Sequence, residues 1–312
     1  MEQTGIKLNK KGVERVQKEK KNKKSMVSKV MFVSVFTNIF LAILKIITGI
    51  IFTSVALVAD GIHSFSDLIT DFFAIIGSYF AQKPADLEHP FGHGNLEYLT
   101  SLGIGLMVLV VGIGVIYNSI TGSLQVPNTI VIVVSIFTII TKMLLSTYIL
   151  NKGKKYHNSI LISSGKESRS DVISSIVVLI SSILIQFKDE VSIFLYAEKV
   201  AAVIVGLFIF SVGFSIMRDN VSILLGRQEE NEDYMNRLKK LVAKEEGIID
   251  VKNIVLLRYG PVSTLNLIVT MDGDISLKEA HEKADILEAK IKKFSHYIQY
   301  IHIHIEPSLK AD

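Results

Sequence analysis

The stretch Ser54-Val-Ala-Leu-Val-Ala-Asp60-Gly-Ile-His63-Ser-Phe-Ser-Asp67-Leu-Ile-Thr-Asp71 carries the pattern from which the fold of this 312-residue chain follows. It lies in an apolar run of membrane-spanning length, yet it contains four ionisable side chains. Their spacings of 3, 4 and 4 residues return to one face of an α-helix and predict a single polar stripe. An ionisable group in mid-membrane costs at least ~2.5–3.5 kcal/mol, so each of these residues is a candidate for a functional site.

Around this stretch, apolar segments long enough to cross a membrane occur six times. A helix needs about 20 apolar residues for the crossing. The chain is 49% apolar and 21% charged, which is typical of a membrane protein. It has no cysteine, which excludes disulfides and thiolate metal ligands. The predicted spans, with soft boundaries, are 30–53, 55–81, 98–118, 129–150, 158–187 and 197–217.

The distribution of Lys and Arg predicts the orientation of these spans. Residues 1–29 hold ten Lys/Arg against three Glu, and the 151–157 loop is also basic, whereas 119–128 carries no charge. A basic arm can bind nucleic acid, but a basic flank directly before a span indicates membrane topology instead. We therefore expect a multi-pass cell-membrane protein that contacts lipid and not nucleic acid. Both termini and the 82–97 loop are predicted to be cytoplasmic.

The end of the chain is polar and predicts a small α+β domain. Its pattern reads helix, strand, strand, helix, strand, with a turn signal at Gly260-Pro261 and a capping box from Ser276 to Glu279. The αββαβ order is typical of an open-faced, ferredoxin-like sandwich covered by helices on one side. The predicted domains are a basic arm (1–29), a six-helix membrane domain (30–217) and this cytoplasmic domain (218–312).

A second polar stripe lies in the fifth span, where Glu167 and Asp171 are four residues apart. At ~1.5 Å rise per residue, His63 and Asp67 lie roughly 12 and 18 Å below the outer surface, and Asp171 and Glu167 lie at roughly 11 and 17 Å. If spans 2 and 5 pack together, one imidazole and three carboxylates converge. Four such ligands suit tetrahedral Zn²⁺, and a carboxylate-rich set also suits Mn²⁺ or Fe²⁺. The alternative is a set of hydrogen bonds that only holds the helices together.

A separate cluster of metal-ligand types follows span 2, in the loop that contains Asp86, His89 and His93. Two histidines four residues apart with a carboxylate nearby are a plausible metal site. A solvated, turn-rich loop is the alternative.

Together these segments resemble the cation diffusion facilitator family of divalent metal cation/proton antiporters. The resemblance rests on the Ser54–Asp67 stretch, the His89-Pro-Phe-Gly-His93-Gly core of the loop, Ser168-Arg-Ser-Asp171 and the αββαβ tail. It covers nearly the whole chain from about residue 28.

The resemblance implies a homodimeric, proton-coupled exporter of divalent transition metals, with zinc as the expected cargo. It assigns the transport site to His63, Asp67, Glu167 and Asp171. It assigns a loop site to Asp86, His89 and His93. It also implies a possible third site in the tail, at His281, His304 and Glu306, although Lys252 stands where some members have a further ligand. The tail histidines are otherwise compatible with an ordinary surface strand.

Three classes of function remain open at this point. The first is the exporter, of zinc or alternatively of manganese or iron(II), since Glu167 departs from the His or Asp usual in the family. The second is a membrane subunit that senses metal or acts as a scaffold without transporting it. A membrane metalloenzyme is the third, but the spans contain no nucleophile motif and transport needs no covalent chemistry, so we expect no enzymatic activity.

Overall fold

A computed structural model describes residues 10–156, 158–229 and 231–308. Residues 1–9 of the predicted arm and 309–312 of the predicted tail lie outside the described residues. The chain forms two compact units. One comprises the chain up to Ile69 and Val108–Val212, and the other comprises Thr70–Met107 and the chain from Gly213.

Six long helices follow one another between residues 10 and 224. They match the six predicted spans, except that the first helix begins before its apolar run and the sixth continues seven residues beyond it. Short 3₁₀ turns at Ile185–Phe187 and Ser192–Tyr196 lie between the fifth and sixth helices. The helices are α1 (Lys10–Ile51), α2 (Val55–Ala81), α3 (Leu96–Thr121), α4 (Ile130–Lys155), α5 (Ser159–Leu184) and α6 (Ala197–Leu224).

The membrane character of these helices follows from their length and composition. Segments in α1, α3, α4, α5 and α6 are long and apolar enough to cross a bilayer. The 27 residues of α2 have the required length, but its aspartates and His63 make it more polar. Large apolar side chains face outward, for example Phe32 at 72% and Phe36 at 66% exposure, which suits lipid rather than water. The prediction of a multi-pass membrane protein is confirmed.

Two glycines allow the helices around the polar stripes to approach closely. A Cβ added at Gly61 would lie 2.6 Å from the Ile46 side chain, so α1 and α2 pack backbone to side chain there. A Cβ at Gly165 would lie 2.7 Å from Leu150, which brings α4 equally close to α5. Small residues permit this packing between membrane helices, where no hydrophobic driving force distinguishes lipid from protein.

The tail has the predicted order of two helices and three strands. Strand β1 (Asp250–Tyr259) is antiparallel to β2 (Val262–Met271), and β3 (Ile298–Pro307) pairs in parallel with β2, giving the strand order β1-β2-β3. The predicted αββαβ domain is therefore confirmed. Its elements are α7 (Glu232–Ala243), β1 (Asp250–Tyr259), β2 (Val262–Met271), α8 (Leu277–Phe294) and β3 (Ile298–Pro307).

One hydrophobic core joins the helices and strands of this domain. Leu238 of α7 and Leu287 of α8 are fully buried in one cluster with Leu265 of β2, and in the middle of β2 buried Leu265 and Leu267 flank the exposed Asn266. The side chain of Ser276 accepts a hydrogen bond from the backbone N–H of Glu279 at 3.2 Å, as the capping box predicts. The turn between β1 and β2 uses Gly260 at φ +61°, in the left-handed region that favours glycine.

Candidate functional site

The polar stripe of α2 places an imidazole and a carboxylate one turn apart. His63 is 8% exposed, and its Nδ1 lies 3.9 Å from Oδ2 of Asp67. Asp71, one further turn along the stripe, is exposed. The inner turns of the stripe are therefore the part available to hold a ligand away from water.

Helix α5 completes this group with Asp171, which is 8% exposed. One ligand atom from each of His63, Asp67 and Asp171 lies within 4.8 Å of the others. Nitrogen and oxygen ligands bind divalent transition metals at ~2.0–2.2 Å, so two ligands of one ion are at most about 4.4 Å apart. The three ligand atoms therefore lie almost as close together as the ligands of one ion must.

Glu167 takes a different position from the other three residues of the predicted set. It lines the same cavity of about 280 Å³ as His63, Asp67 and Asp171, together with Ser170 and Ser174. Its side chain is exposed, and its carboxylate is not among the atoms that lie within 4.8 Å of one another. Its role as a metal ligand stays a prediction.

Asp60, the remaining ionisable residue of the stripe on α2, forms an ion pair with a lysine. Lys45 Nζ of α1 lies 2.6 Å from Asp60 Oδ2, and both residues are 0% exposed. The hydroxyls of Ser174 and Ser175 donate to the same carboxylate at 2.6 and 2.8 Å. At ~1.5 Å rise per residue, Lys45 and Asp60 lie roughly 12 and 8 Å below the outer surface on adjoining spans, a difference that a lysine side chain can bridge. The sequence therefore predicts this ion pair, and the distance confirms it. Asp60 therefore belongs to the helix packing rather than to the three-residue group.

The loop between α2 and α3 gathers its three predicted ligands. His89 Nδ1 lies 3.3 Å from Asp86 Oδ1, and His93 Nε2 lies 3.4 Å from Asp86 Oδ2. The backbone N–H of His89 donates to Asp86 and, with the two histidines, holds the pKa of that carboxyl below its usual range. His93 Nδ1 contacts the carbonyl of Pro84 at 3.3 Å, which fixes the ring. These three residues form the second group whose ligand atoms lie within 4.8 Å.

The predicted tail residues are not brought together within one chain. Glu306 accepts a hydrogen bond from Lys252, which keeps the pKa of this carboxyl below its usual range. His281 lies instead beside Asp285 on α8, with Nε2 and Oδ2 3.9 Å apart. His304 is exposed on β3. Within the described residues, clusters of three or more potential ligands occur only at the two groups above.

Comparison with known proteins identifies the family. The model of the cation efflux transmembrane domain matches residues 31–225, and the model of the cation efflux protein cytoplasmic domain matches 231–308. The chain belongs to the cation diffusion facilitator family. Members of this family are transporters of divalent metal cations, so this chain is a divalent metal transporter of the membrane.

Three relatives illustrate the range of this family. The uncharacterised transporter MJ0449 of Methanocaldococcus jannaschii is 33% identical over 89% of this chain and 98% of its own length. The manganese efflux system protein MneP of Bacillus subtilis is 25% identical over 89% of this chain and 95% of its own. The magnetosome protein MamB of a Magnetospira species is 26% identical over 87% and 92%.

Sequence reasoning missed a buried charged residue next to the group of His63, Asp67 and Asp171, namely Lys142. It lies in α4 with 1% exposure, and its Nζ is 2.5 Å from Oδ2 of Asp171. A charge within an apolar span was the available signal. The signal was incomplete because the rotation of α4 decides whether this lysine faces lipid or the helix interior.

A second missed residue is Glu198 at the start of α6. It is 2% exposed, and its carboxylate accepts hydrogen bonds from the Ser54 hydroxyl at 2.6 Å and the Ala56 N–H at 3.0 Å. It thereby caps the start of α2, about one turn before the polar stripe begins at Asp60. The acidic flank of span 6 indicated a charge at this depth but not its partner.

Proposed function

We propose that this chain exports divalent transition metals from the cytoplasm in exchange for protons, through a site formed by His63, Asp67, Glu167 and Asp171. The observation that carries this proposal is the convergence of His63, Asp67 and Asp171, whose ligand atoms lie within 4.8 Å between helices of membrane-spanning length. Ionisable residues are costly at that depth, and a transport pathway gives them a use.

The donor set indicates the class of cargo. Three carboxylates and one imidazole offer oxygen and nitrogen only, which suits Mn²⁺ and Fe²⁺ as well as Zn²⁺. Relatives with 25% and 26% identity are manganese efflux proteins, which supports Mn²⁺. Zn²⁺, the cargo expected from the sequence, fits the same four ligands through its tetrahedral preference, and we propose both ions as cargo.

Exchange with protons follows from the chemistry of these ligands. Carboxylates and imidazole bind a metal only in their deprotonated forms, so protonation expels the ion and binding of the ion releases protons. An ordinary imidazole titrates near neutral pH, which makes His63 the proposed proton carrier. Rocking of helices around the site would expose it to the two sides of the membrane in turn.

We further propose the domain organisation and assembly that the sequence predicts: a basic arm (1–29), a membrane domain (30–217) and a cytoplasmic domain (218–312), with both termini cytoplasmic. The protein is proposed to be a homodimer in contact with membrane lipids. In this dimer a second copy would have to complete the tail site, because His281, His304 and Glu306 do not meet within one chain. The Asp86–His89–His93 loop is proposed as a cytoplasmic metal site.

A flux assay on vesicles that contain the full chain tests this function. Vesicles with an acidic lumen should accumulate metal faster than vesicles without a pH gradient, across a panel of Mn²⁺, Fe²⁺, Zn²⁺, Co²⁺ and Cd²⁺. Asp67→Ala and Asp171→Ala should each abolish flux, whereas Asp71→Ala on the same helix should retain it. Metal binding without flux in the unmodified protein would instead indicate a sensing or scaffold subunit.

A further inference from the structure

Two lysines are buried among the described residues of the membrane helices, Lys45 and Lys142, and they contact different carboxylates. Lys45 donates to Asp60 and also to the hydroxyls of Ser175 at 2.9 Å and Ser64 at 3.3 Å. The carboxylate of Asp60 in turn accepts hydrogen bonds from two serine hydroxyls. This pair is therefore satisfied by its own neighbours and does not use a proposed metal ligand as a partner.

Lys142 is bonded to a proposed ligand instead. Its Nζ lies 2.5 Å from Oδ2 of Asp171, and across the described part of the chain this is the hydrogen bond that its ammonium makes. An ammonium has three N–H donors, so burying one at 1% exposure with a single acceptor is costly. A purely structural role would be served better by a neutral side chain.

The packing between α4 and α5 does not require this charge. Ser146, one turn after Lys142, donates from its hydroxyl to the carbonyl of Gly165 at 2.8 Å. The close approach of Gly165 to Leu150 joins the same two helices. These contacts hold α4 against α5 independently of the ion pair.

Among the two lysines and the four carboxylates around the cavity, the charges balance a divalent ion only when Lys142 is counted, because Lys45 and Asp60 cancel each other. Asp60, Asp67, Glu167 and Asp171 supply four negative charges, and the two lysines supply two positive charges. With a neutral imidazole, the group carries two net negative charges, which one divalent cation neutralises. Removal of Lys142 leaves three, and the site attracts a cation more strongly.

We propose that Lys142 is a built-in cation that competes with the cargo metal for Asp171 and keeps the affinity of the transport site low enough for release. The inference rests on the proposed transport site. A metal coordinated by Asp171 either shares that carboxylate with the ammonium or displaces it, and both weaken binding. A transport site must bind its ion but also release it, so a competing charge serves turnover.

The test compares three variants of the full-length purified protein. Lys142→Met removes the charge at similar length, Lys142→Arg keeps it, and Ser146→Ala removes the neighbouring α4–α5 hydrogen bond without a change in charge. Mn²⁺ and Zn²⁺ binding is titrated calorimetrically at one fixed pH. The same titration of Asp171→Ala is subtracted, because it reports binding elsewhere in the chain.

We expect Lys142→Met to bind metal about tenfold more tightly or better, because repulsion at such short range is large in a low dielectric. In vesicles, its KM and its maximal flux should both fall. Lys142→Arg and Ser146→Ala should keep the unmodified affinity. An unchanged or weakened affinity in Lys142→Met would overturn the proposal.

The remaining outcome is that the Lys142 variants do not fold. If Lys142→Met does not purify as a folded protein, Lys142→Gln is titrated in its place, and failure of both to fold would overturn the proposal in favour of a structural ion pair. The proposed function fails separately: if the unmodified protein shows no Asp171-dependent metal binding, both proposals fall. If that binding is present and neutralising Lys142 leaves it unchanged, only the role of Lys142 falls.

Discussion

Lys45 Nζ and Asp60 Oδ2 lie 2.6 Å apart in the fully buried space between α1 and α2. The short connection between these helices makes them neighbours, and the close contact at Gly61 allows α1 to bring its lysine to the carboxylate. This ion pair joins one end of the polar face of α2 to α1, next to the proposed transport site.

The first prediction concerns that pair. Lys45→Met and Asp60→Asn should each destabilise the protein by about 3–5 kcal/mol, because each strands a buried charge. The double variant should recover much of the loss. Thermal unfolding in detergent measures the cycle, and strictly additive losses would show that the two residues do not interact.

Glu198 gives a second prediction about stability. Glu198→Ala removes the acceptor for the Ser54 hydroxyl and the Ala56 N–H and leaves both buried donors without it, at a cost of about 1–3 kcal/mol. The melting temperature should fall, whereas Glu190→Ala, at an exposed acidic residue in the same connection, should leave it unchanged. Equal melting temperatures for the two variants would contradict the stabilising role of Glu198 as the cap of α2.

The third prediction concerns metal selectivity. Glu167→His would give the cavity two imidazoles and two carboxylates, a set that favours Zn²⁺ over Mn²⁺ more strongly. The ratio of Zn²⁺ to Mn²⁺ flux in vesicles should rise, and the same substitution at Glu190 should not change it. A ratio that stays constant or falls would place the determinant of selectivity elsewhere than at Glu167.

The fourth prediction tests the contact between the Asp86–His89–His93 loop, which is the proposed cytoplasmic metal site, and the β1–β2 turn of the tail. A Cβ at Gly94 would lie 2.2 Å from the carbonyl oxygen of Tyr259, so Gly94→Ala forces the backbone to shift. We expect a loss of about 1–3 kcal/mol in stability and weaker metal binding at Asp86, His89 and His93.

Gly103→Ala is the matched control for this change. Its added Cβ meets nothing within 4 Å, and alanine favours the helix by up to about 1 kcal/mol. Gly103→Ala should therefore keep or raise the melting temperature. If Gly94→Ala also keeps or raises the melting temperature, the close contact between Gly94 and Tyr259 does not contribute to stability.

The spacing of ionisable residues along α2 and α5 was readable from the sequence, since helical periodicity and rise follow from local backbone geometry. That geometry predicts the common face of His63 and Asp67, the depth at which Asp171 meets them, and the pairing of Lys45 with Asp60. The αββαβ order of the tail was predictable for the same reason, because strand alternation, turn residues and caps are local signals.

The partners of Lys142 and Glu198 were decided only by the tertiary structure. A helix that is apolar on all sides gives no periodic signal of which face turns inward, so the sequence of α4 does not show whether Lys142 meets lipid or Asp171. Glu198 accepts hydrogen bonds from α2, more than 140 residues earlier in the chain, and no local pattern encodes that distance. Such contacts depend on how the helices rotate and pack against one another. That arrangement is set by close approaches such as those at Gly61 and Gly165, which belong to pairs of helices and not to either one alone.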